Sequence, residues 1–287
     1  MMKRVVIDSD PATGVRNRDV DDGLAFLVLL ASPNIQVEGI TITFGNVGAD
    51  TGIEVAHKLL NLVGSAVPVL KGAGSMADLG VRSPAVDYLI ETVRANPGEI
   101  CLLALGPLTN VASAMLLDPG FAPNLKELVI MGGSLHFWPF SFFGEFNFHS
   151  DGSAAALVMS ADVQKTLLSM DVCSQVVFRR EQLRMLEEHD SPVSRFLVGA
   201  ISPWLELNRK VFFRAGGFFP WDVVAAAYLI DKTLFDENPC SFFVQKTGLR
   251  SGSIHDFRKT STGAINLPEK LDAKRFMTMF MDGLLKF

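Results

Sequence analysis

Cysteine is scarce in this 287-residue chain, and its three copies, Cys101, Cys173 and Cys240, are odd in number and far apart. That excludes a disulfide framework. Segments such as Glu99-Ile100-Cys101-Leu102-Leu103 are apolar, so the thiols read as reduced core residues, in keeping with a cytoplasmic location. There is no excess of positive charge. Lysine and arginine number 26 against 31 acids, for a net charge of -5 and a pI near 5.6, which argues against a nucleic-acid partner. No apolar run approaches a membrane span, and the stretch after Lys3 and Arg4 ends at Asp8, too short for a signal-peptide core. No repeat, low-complexity tract or linker interrupts the chain, so one domain over residues 1–287 is expected.

What is present is a large apolar fraction, 48%, enough for a substantial core. Arg4-Val5-Val6-Ile7 is short and β-branched and reads as a buried strand. Residues 24–31 are apolar over a helical length. Strands over 35–43, 67–70, 100–105 and 128–131 alternate with helices over 50–63, 84–95 and 107–117. Residues 160–171 supply another helix–strand passage. Residues 180–208 read as mostly helical, broken near Ser191-Pro192 and Ser202-Pro203. Such alternation predicts an α/β fold: a mainly parallel, Rossmann-like open sheet with helices on both faces, binding ligands beyond the carboxyl ends of its strands.

Five aspartates fall in the first 22 residues, and four of them, Asp8, Asp10, Asp21 and Asp22, stand at element ends. Asp8 and Asp10 stand where the first strand leaves the sheet, on the same side if the alternation continues. Asp21 and Asp22 open the following helix, where the macrodipole favours negative charge. Four carboxylates at one junction repel unless a cation or shared protons offset the charge, so the arrangement reads as a metal site. All-oxygen donors suit a hard cation such as Ca²⁺.

Other strand-end positions face the same crevice: Asn46 after Thr43-Phe44-Gly45, then Leu105-Gly106, and Met131-Gly132-Gly133. The Asn46 amide could bond a substrate hydroxyl or its own backbone. Residues 137–148 form a loop rich in rings that would suit a stackable base or a subunit interface. Within it Glu145 and Asn147, two apart in an extended reading, point one way and could grip adjacent sugar hydroxyls. A second aromatic cluster, Phe212-Phe213 and Phe218-Phe219-Pro220-Trp221, precedes Asp222, either an N-cap or another carboxylate in the crevice.

Together these residues resemble the nucleoside hydrolases, the inosine–uridine type N-ribohydrolases. The resemblance runs from Asp8-Ser9-Asp10-Pro11 and Asp21-Asp22-Gly23-Leu24-Ala25 through Thr43-Phe44-Gly45-Asn46 and the stretch from Leu105 to Ala112. It continues in Met131-Gly132-Gly133 and Glu145-Phe146-Asn147 with Asp151. It implies hydrolysis of a nucleoside to free base and ribose, with one Ca²⁺ held by Asp10, Asp22, the Leu105 carbonyl and Asp222. It also implies Asp10 as general base, and Asp21, Asn46, Glu145 and Asn147, with Met131 beside them, as substrate-binding residues. A homodimer or homotetramer is the implied assembly.

Two departures stand out. Residues 11–20, with Arg16 and Arg18, replace a much shorter turn. Before Asp222 the chain carries Trp221 where base-nonspecific members have a histidine, resembling the purine-preferring branch, in which stacking assists departure of the base. Of the five histidines, His136 and His149 flank the aromatic loop and are the ones near enough in sequence to act as an acid.

Two rivals remain. Asp8-x-Asp10-x-x-Thr13 also resembles the first motif of haloacid-dehalogenase-type phosphatases, with Asp8 as nucleophile, Asp10 as acid/base and Mg²⁺ as cofactor. A Ca²⁺-dependent nucleoside-binding protein without turnover is the other.

Overall fold

The computed structural model describes residues 2–136, 144–211, 215–248, 251–260 and 265–287. The elements in order are β1 (Lys3–Ser9), α1 (Asp21–Ala31), β2 (Ile35–Ile42), α2 (Ala49–Leu62), β3 (Val69–Lys71), α3 (Pro84–Ala95), β4 (Ile100–Ala104), α4 (Thr109–Leu117), β5 (Glu127–Met131), α5 (Phe146–Ser150) and α6 (Gly152–Ser160). They continue as β6 (Lys165–Leu168), α7 (Met170–Cys173), α8 (Arg180–His189), α9 (Pro192–Val211), α10 (Trp221–Ile230), β7 (Pro239–Val244), β8 (Ile254–Lys259), β9 (Ile265–Asn266) and α11 (Ala273–Leu284).

The strands form one nine-stranded sheet in the order β3-β2-β1-β4-β5-β6-β9-β7-β8. Pairing is parallel from β3 through β9 and antiparallel where β7 meets β9 and β8. The mainly parallel sheet is as expected. The antiparallel margin comes from β7, β8 and β9, a part of the chain to which the sequence reading assigned no elements.

β1 shows why the sheet is buried on both faces. Val5 and Ile7 point into one apolar cluster with α1, α10 and α11, while Val6 points into the other, under α3, α4 and α6. That is the period-2 alternation of a central strand. α1 is buried from Asp21 to Leu29, as a helix apolar on all sides must be. The chain runs outward from β1 to β2 and β3, then returns to place β4 on the other flank of β1. The crevice between the carboxyl ends of β1 and β4 is therefore a topological switch point, the usual ligand position in open α/β sheets.

α9 corrects one expectation. It passes through Pro203 without a break. Proline removes an N–H and crowds the carbonyl four residues earlier; that residue is Gly199, whose missing side chain leaves the backbone free to adjust, and Ser202 Oγ donates to the Val198 carbonyl at 2.7 Å. The break at Ser191-Pro192 is real, because α8 ends at His189 and Pro192 opens α9. Among the described residues no helix is long and apolar enough to cross a membrane.

Candidate active site

A cavity of about 240 Å³ opens at the switch point, lined by Asp19, Asp21, Asn46, Leu105, Met131, Glu145, Asn147, Trp221 and Asp222, with Gly144, Phe146, Met170, Ser174 and Phe219 completing its wall. Every substrate-binding residue expected from sequence is in this lining. Asp10 and Asp22 are fully buried and tied to the lining residue Asn46.

Asp10 follows the last residue of β1. Its Oδ2 accepts from the Asn46 N–H at 2.5 Å, and its Oδ1 is buried without a hydrogen-bond partner. Backbone closes around the carboxylate. A Cβ on Gly45 would lie 1.9 Å from Oδ2, and one on Gly106 would lie 2.8 Å from Oδ1, so both flanking positions require glycine by close approach. Burial, then the charge of Asp22, push the Asp10 carboxyl well above its ordinary range, against the opposing Asn46 N–H.

Asp21 and Asp22 open α1, and Asp222 sits in the first turn of α10. A carboxylate oxygen of each lies within 4.8 Å of the others. Asp222 is thus a crevice carboxylate; its helix has Pro220 at the N-cap position and no side-chain cap. Asp22 accepts from Ser9 Oγ, from the Asp10 N–H at 3.3 Å and from Asn46 Nδ2 at 3.3 Å. Burial and then Asp21 raise its carboxyl to about 7. Burial is also the first cause for Asp21 and Asp222, both held well above the carboxylate range, followed by Asp19 for the former and Asp21 for the latter. Partly dry carboxylates this close hold protons or a cation. The three convergent carboxylate oxygens of Asp21, Asp22 and Asp222 make an all-oxygen donor set that fits a hard divalent cation. The tightest group contains Asp21 where the sequence reading had Asp10, and the Leu105 carbonyl accepts from Asn147 Nδ2 at 2.8 Å.

Asp8 and Asp10 do not share a site, contrary to the simple alternation. Asp10 lies past the last β1 residue, where the pleat no longer dictates direction. Asp8 turns toward α4, its Oδ1 accepting from Thr41 Oγ1 at 2.6 Å and Asn110 Nδ2 at 2.8 Å; its Oδ2, like Asp10 Oδ1, is buried without a partner, and neither residue is in the cavity lining. Burial raises the Asp8 carboxyl to about 7.

Glu145 is a second correction. It is the N-cap of α5, accepting from the N–H groups of Asn147 at 2.7 Å and Phe148 at 2.9 Å, so the extended reading fails. The Gly133 N–H adds a third donor at 2.8 Å, and Gly133 adopts a φ of +67° that favours glycine. Gly133 therefore serves to hold Glu145, and Gly132 leaves room for the Phe148 ring. Burial raises the Glu145 carboxyl, opposed by these three donors. Asn147 donates to the Leu105 and Met131 carbonyls, locking the ends of β4 and β5 together. Asp151 caps α6 and accepts from Thr109 Oγ1, a structural role.

Trp221 lines the cavity and packs on the core at once. Its ring stacks on Phe219 with centroids 5.7 Å apart, and its Nε1 donates to Ser174 Oγ at 3.3 Å. His136 Nδ1 lies 2.8 Å from Asp171 Oδ1 and His149 Nδ1 lies 3.2 Å from the Ser251 carbonyl; neither lines the cavity. Of the two aromatic runs, residues 137–143 and Phe212-Phe213 lie outside the described residues.

Sequence reasoning missed Asp19. It is buried in the lining, accepts from the N–H groups of Val20 and Asp21, and its carboxyl hydrogen-bonds that of Asp21. The signal was Thr13. Its Oγ1 donates to the Val20 carbonyl at 2.8 Å and accepts from the Gly23 N–H at 3.1 Å, closing the base of the inserted loop. Arg16 and Arg18 are left exposed while Asp19, Asp21 and Asp22 are drawn inward.

Comparison with known proteins agrees with this geometry. The family model for inosine-uridine preferring nucleoside hydrolases matches residues 5–278. A pyrimidine-specific ribonucleoside hydrolase, RihB of Escherichia coli O157:H7, is 28% identical over 254 residues, covering 80% of this chain and 79% of the relative. A plant nucleoside hydrolase, PpNRh1, superposes with a TM-score of 0.88 at 26% identity over 99% of both chains. A purine-preferring ribonucleoside hydrolase of Gardnerella vaginalis has the same fold, with a TM-score of 0.87 at 22% identity over 99% of this chain and 98% of that one. A match across almost the whole chain, with the acids that open α1 and α10 gathered at one switch point, means that this chain belongs to the inosine-uridine preferring nucleoside hydrolase family and is a hydrolase of N-glycosyl bonds.

Proposed function

We propose that the protein hydrolyses purine ribonucleosides to free base and ribose, with Asp10 as general base and Ca²⁺ as the cation held by Asp10, Asp22, the Leu105 carbonyl and Asp222. The observation that carries the reading is the Asp10 carboxylate itself, one oxygen held by the Asn46 N–H and the other buried without a partner. In this reading the unpartnered oxygen takes the proton of a water attacking the anomeric carbon. The bound cation would supply charge that offsets the carboxylates and acidifies that water. Asp21, Asn46, Glu145 and Asn147 present acceptors and amides to ribose hydroxyls, and Met131 lines the floor beside them.

The purine preference rests on Trp221, whose indole is fixed by Ser174 and backed by Phe219 to form a flat wall for a two-ring base. The names of related proteins pull both ways, one pyrimidine-specific and one purine-preferring, so the preference is argued from this wall alone. A homodimer or homotetramer in the cytoplasm completes the proposal, and light scattering on the eluted protein measures the assembly.

The test is release of reducing sugar from inosine, guanosine, adenosine, uridine and cytidine, with added Ca²⁺ and after chelation. Calcium-dependent release that favours the three purine nucleosides is the expected result. Saturable binding without release would assign a binding protein instead.

A further inference from the structure

We propose that the β7–β8 hairpin belongs to the frame of the active site, with Gly252 and Ile254 as positioning residues for Glu145 and Asn147. The inference rests on the reading in which those two residues hold the sugar. It gives a role to the antiparallel margin of the sheet, which among the described residues contributes nothing to the cavity lining.

α5 cannot hold its own place. It has five residues, and so short a helix depends on tertiary packing. Yet Glu145 caps it and Asn147 stands in its first turn, so its placement decides where both side chains lie. The Phe148 ring settles one side, packed where a Cβ on Gly132 would overlap it. The hairpin settles the other. A Cβ on Gly252 would overlap the Phe148 carbonyl and lie 2.6 Å from the His149 nitrogen. Backbone meets backbone there, and no side chain fits between. Gly252 also adopts a φ of +82°.

The hairpin tip is itself braced. The Gly252 N–H donates to the Gln245 carbonyl at 2.8 Å, and the Gln245 N–H donates to the Ser253 carbonyl at 2.9 Å. His149 Nδ1 lies 3.2 Å from the Ser251 carbonyl, and Ser153 Oγ donates to the Lys246 carbonyl at 3.4 Å. Ile254, which opens β8, reaches the strand end directly. Its Cδ1 would lie 2.9 Å from a Cβ on Gly133, the residue whose N–H holds Glu145 Oε2 at 2.8 Å. The hairpin thus reaches Asn147 through the Phe148 backbone and Glu145 through Gly133. Close-packed interiors transmit such displacements instead of absorbing them.

The experiment measures kcat/KM, with thermal unfolding alongside, for the nucleoside that the wild-type protein turns over fastest. A misplaced group costs roughly 10²-fold in rate, and Gly252→Ala should lower kcat/KM by about that factor. In an Asn147→Ala background the same substitution should cost about tenfold less, a coupling of the size found between residues that act through one another. Ile254→Val deletes the Cδ1 methyl and should lower kcat/KM, while Ile254→Leu restores a δ carbon and should recover it. Phe243→Ala, which removes an exposed ring of the same hairpin stacked on His255, should leave kcat/KM unchanged. Equal losses in the two backgrounds, or wild-type turnover in Ile254→Val, would overturn the positioning role and leave the hydrolase reading standing. If Gly252→Ala does not fold, the Ile254 pair decides alone. Release of sugar from no nucleoside by the wild-type protein would overturn both.

Discussion

The backbone N–H of Asp222 donates to the Asp21 carboxylate at 3.0 Å, joining the first turns of α10 and α1 across 201 residues of sequence. Two helix N-termini therefore face one point, and the partial positive charge at each favours the acids gathered there. The two helix ends offset part of the cost of the cluster, and protons or a cation offset the rest. The same contact sets Trp221, the residue before Asp222, against the cavity.

Asp10→Asn tests the base directly. The substitution keeps the size of the side chain and the Asn46 contact while removing the proton acceptor. Loss of general-base assistance should lower kcat by about 10²- to 10⁴-fold, with the circular dichroism spectrum unchanged. Wild-type turnover in this variant would remove Asp10 from the base role.

Gly45→Ala tests whether the carboxylate must be held where it is. The added methyl group would meet Asp10 Oδ2 at 1.9 Å, so either the carboxylate or the turn must move. A misplaced catalytic group costs roughly 10²-fold in rate, and kcat should fall further than KM rises. If both constants stay at wild-type values, the Asn46 turn does not position the base.

The strand and helix order was legible because β1, β4 and β5 are continuous apolar runs and the helices between them carry the opposite period. The acids of α1 were legible because Asp21-Asp22-Gly23 stands directly before an apolar helical segment. Three things were not. The stretch 145–147 read as extended throughout because the donors that hold Glu145 as the cap of α5, the N–H groups of Gly133, Asn147 and Phe148, are backbone groups with no sequence signature. Asp19 was hidden in a loop that carries two arginines; only the closure by Thr13 turns it inward. The antiparallel strands after Cys240 pair with β9 and with each other, a non-local choice that short runs do not encode.

Ser174→Ala and Trp221→Ala form a graded pair. Removing the indole takes away the stacking face, so the ratio of kcat/KM for inosine over uridine should fall about tenfold, the upper range for an aromatic pair. Ser174→Ala removes only the acceptor at 3.3 Å that fixes the ring. A neutral hydrogen bond of this kind is worth about 1 kcal/mol, and its loss should lower the same ratio less, with Ser174→Thr restoring it. An unchanged ratio in Trp221→Ala would confine the indole to core packing.

Chelated protein should lose stability as pH rises, and added Ca²⁺ should reverse the trend. Burial raises the Asp8 and Asp22 carboxyls to about 7 and Asp19 to about 6 from the ordinary value of 3.8. In the unfolded chain these groups titrate near their ordinary value, so between pH 4 and 7 the native state binds more protons than the unfolded state. Stability then falls with rising pH. The contribution is fully present below the unfolded value and is lost as pH passes through about 6 to 7. A cation that binds the ionised cluster competes with those protons, so its stabilisation grows over the same window. Thermal unfolding at pH 5, 6.5 and 8, with Ca²⁺ and with chelator, measures both slopes. The gap between the two melting temperatures should widen steadily with pH, because the difference cancels titrating groups far from the site. A gap that is constant across the three values would mean that the cation does not bind through these carboxylates.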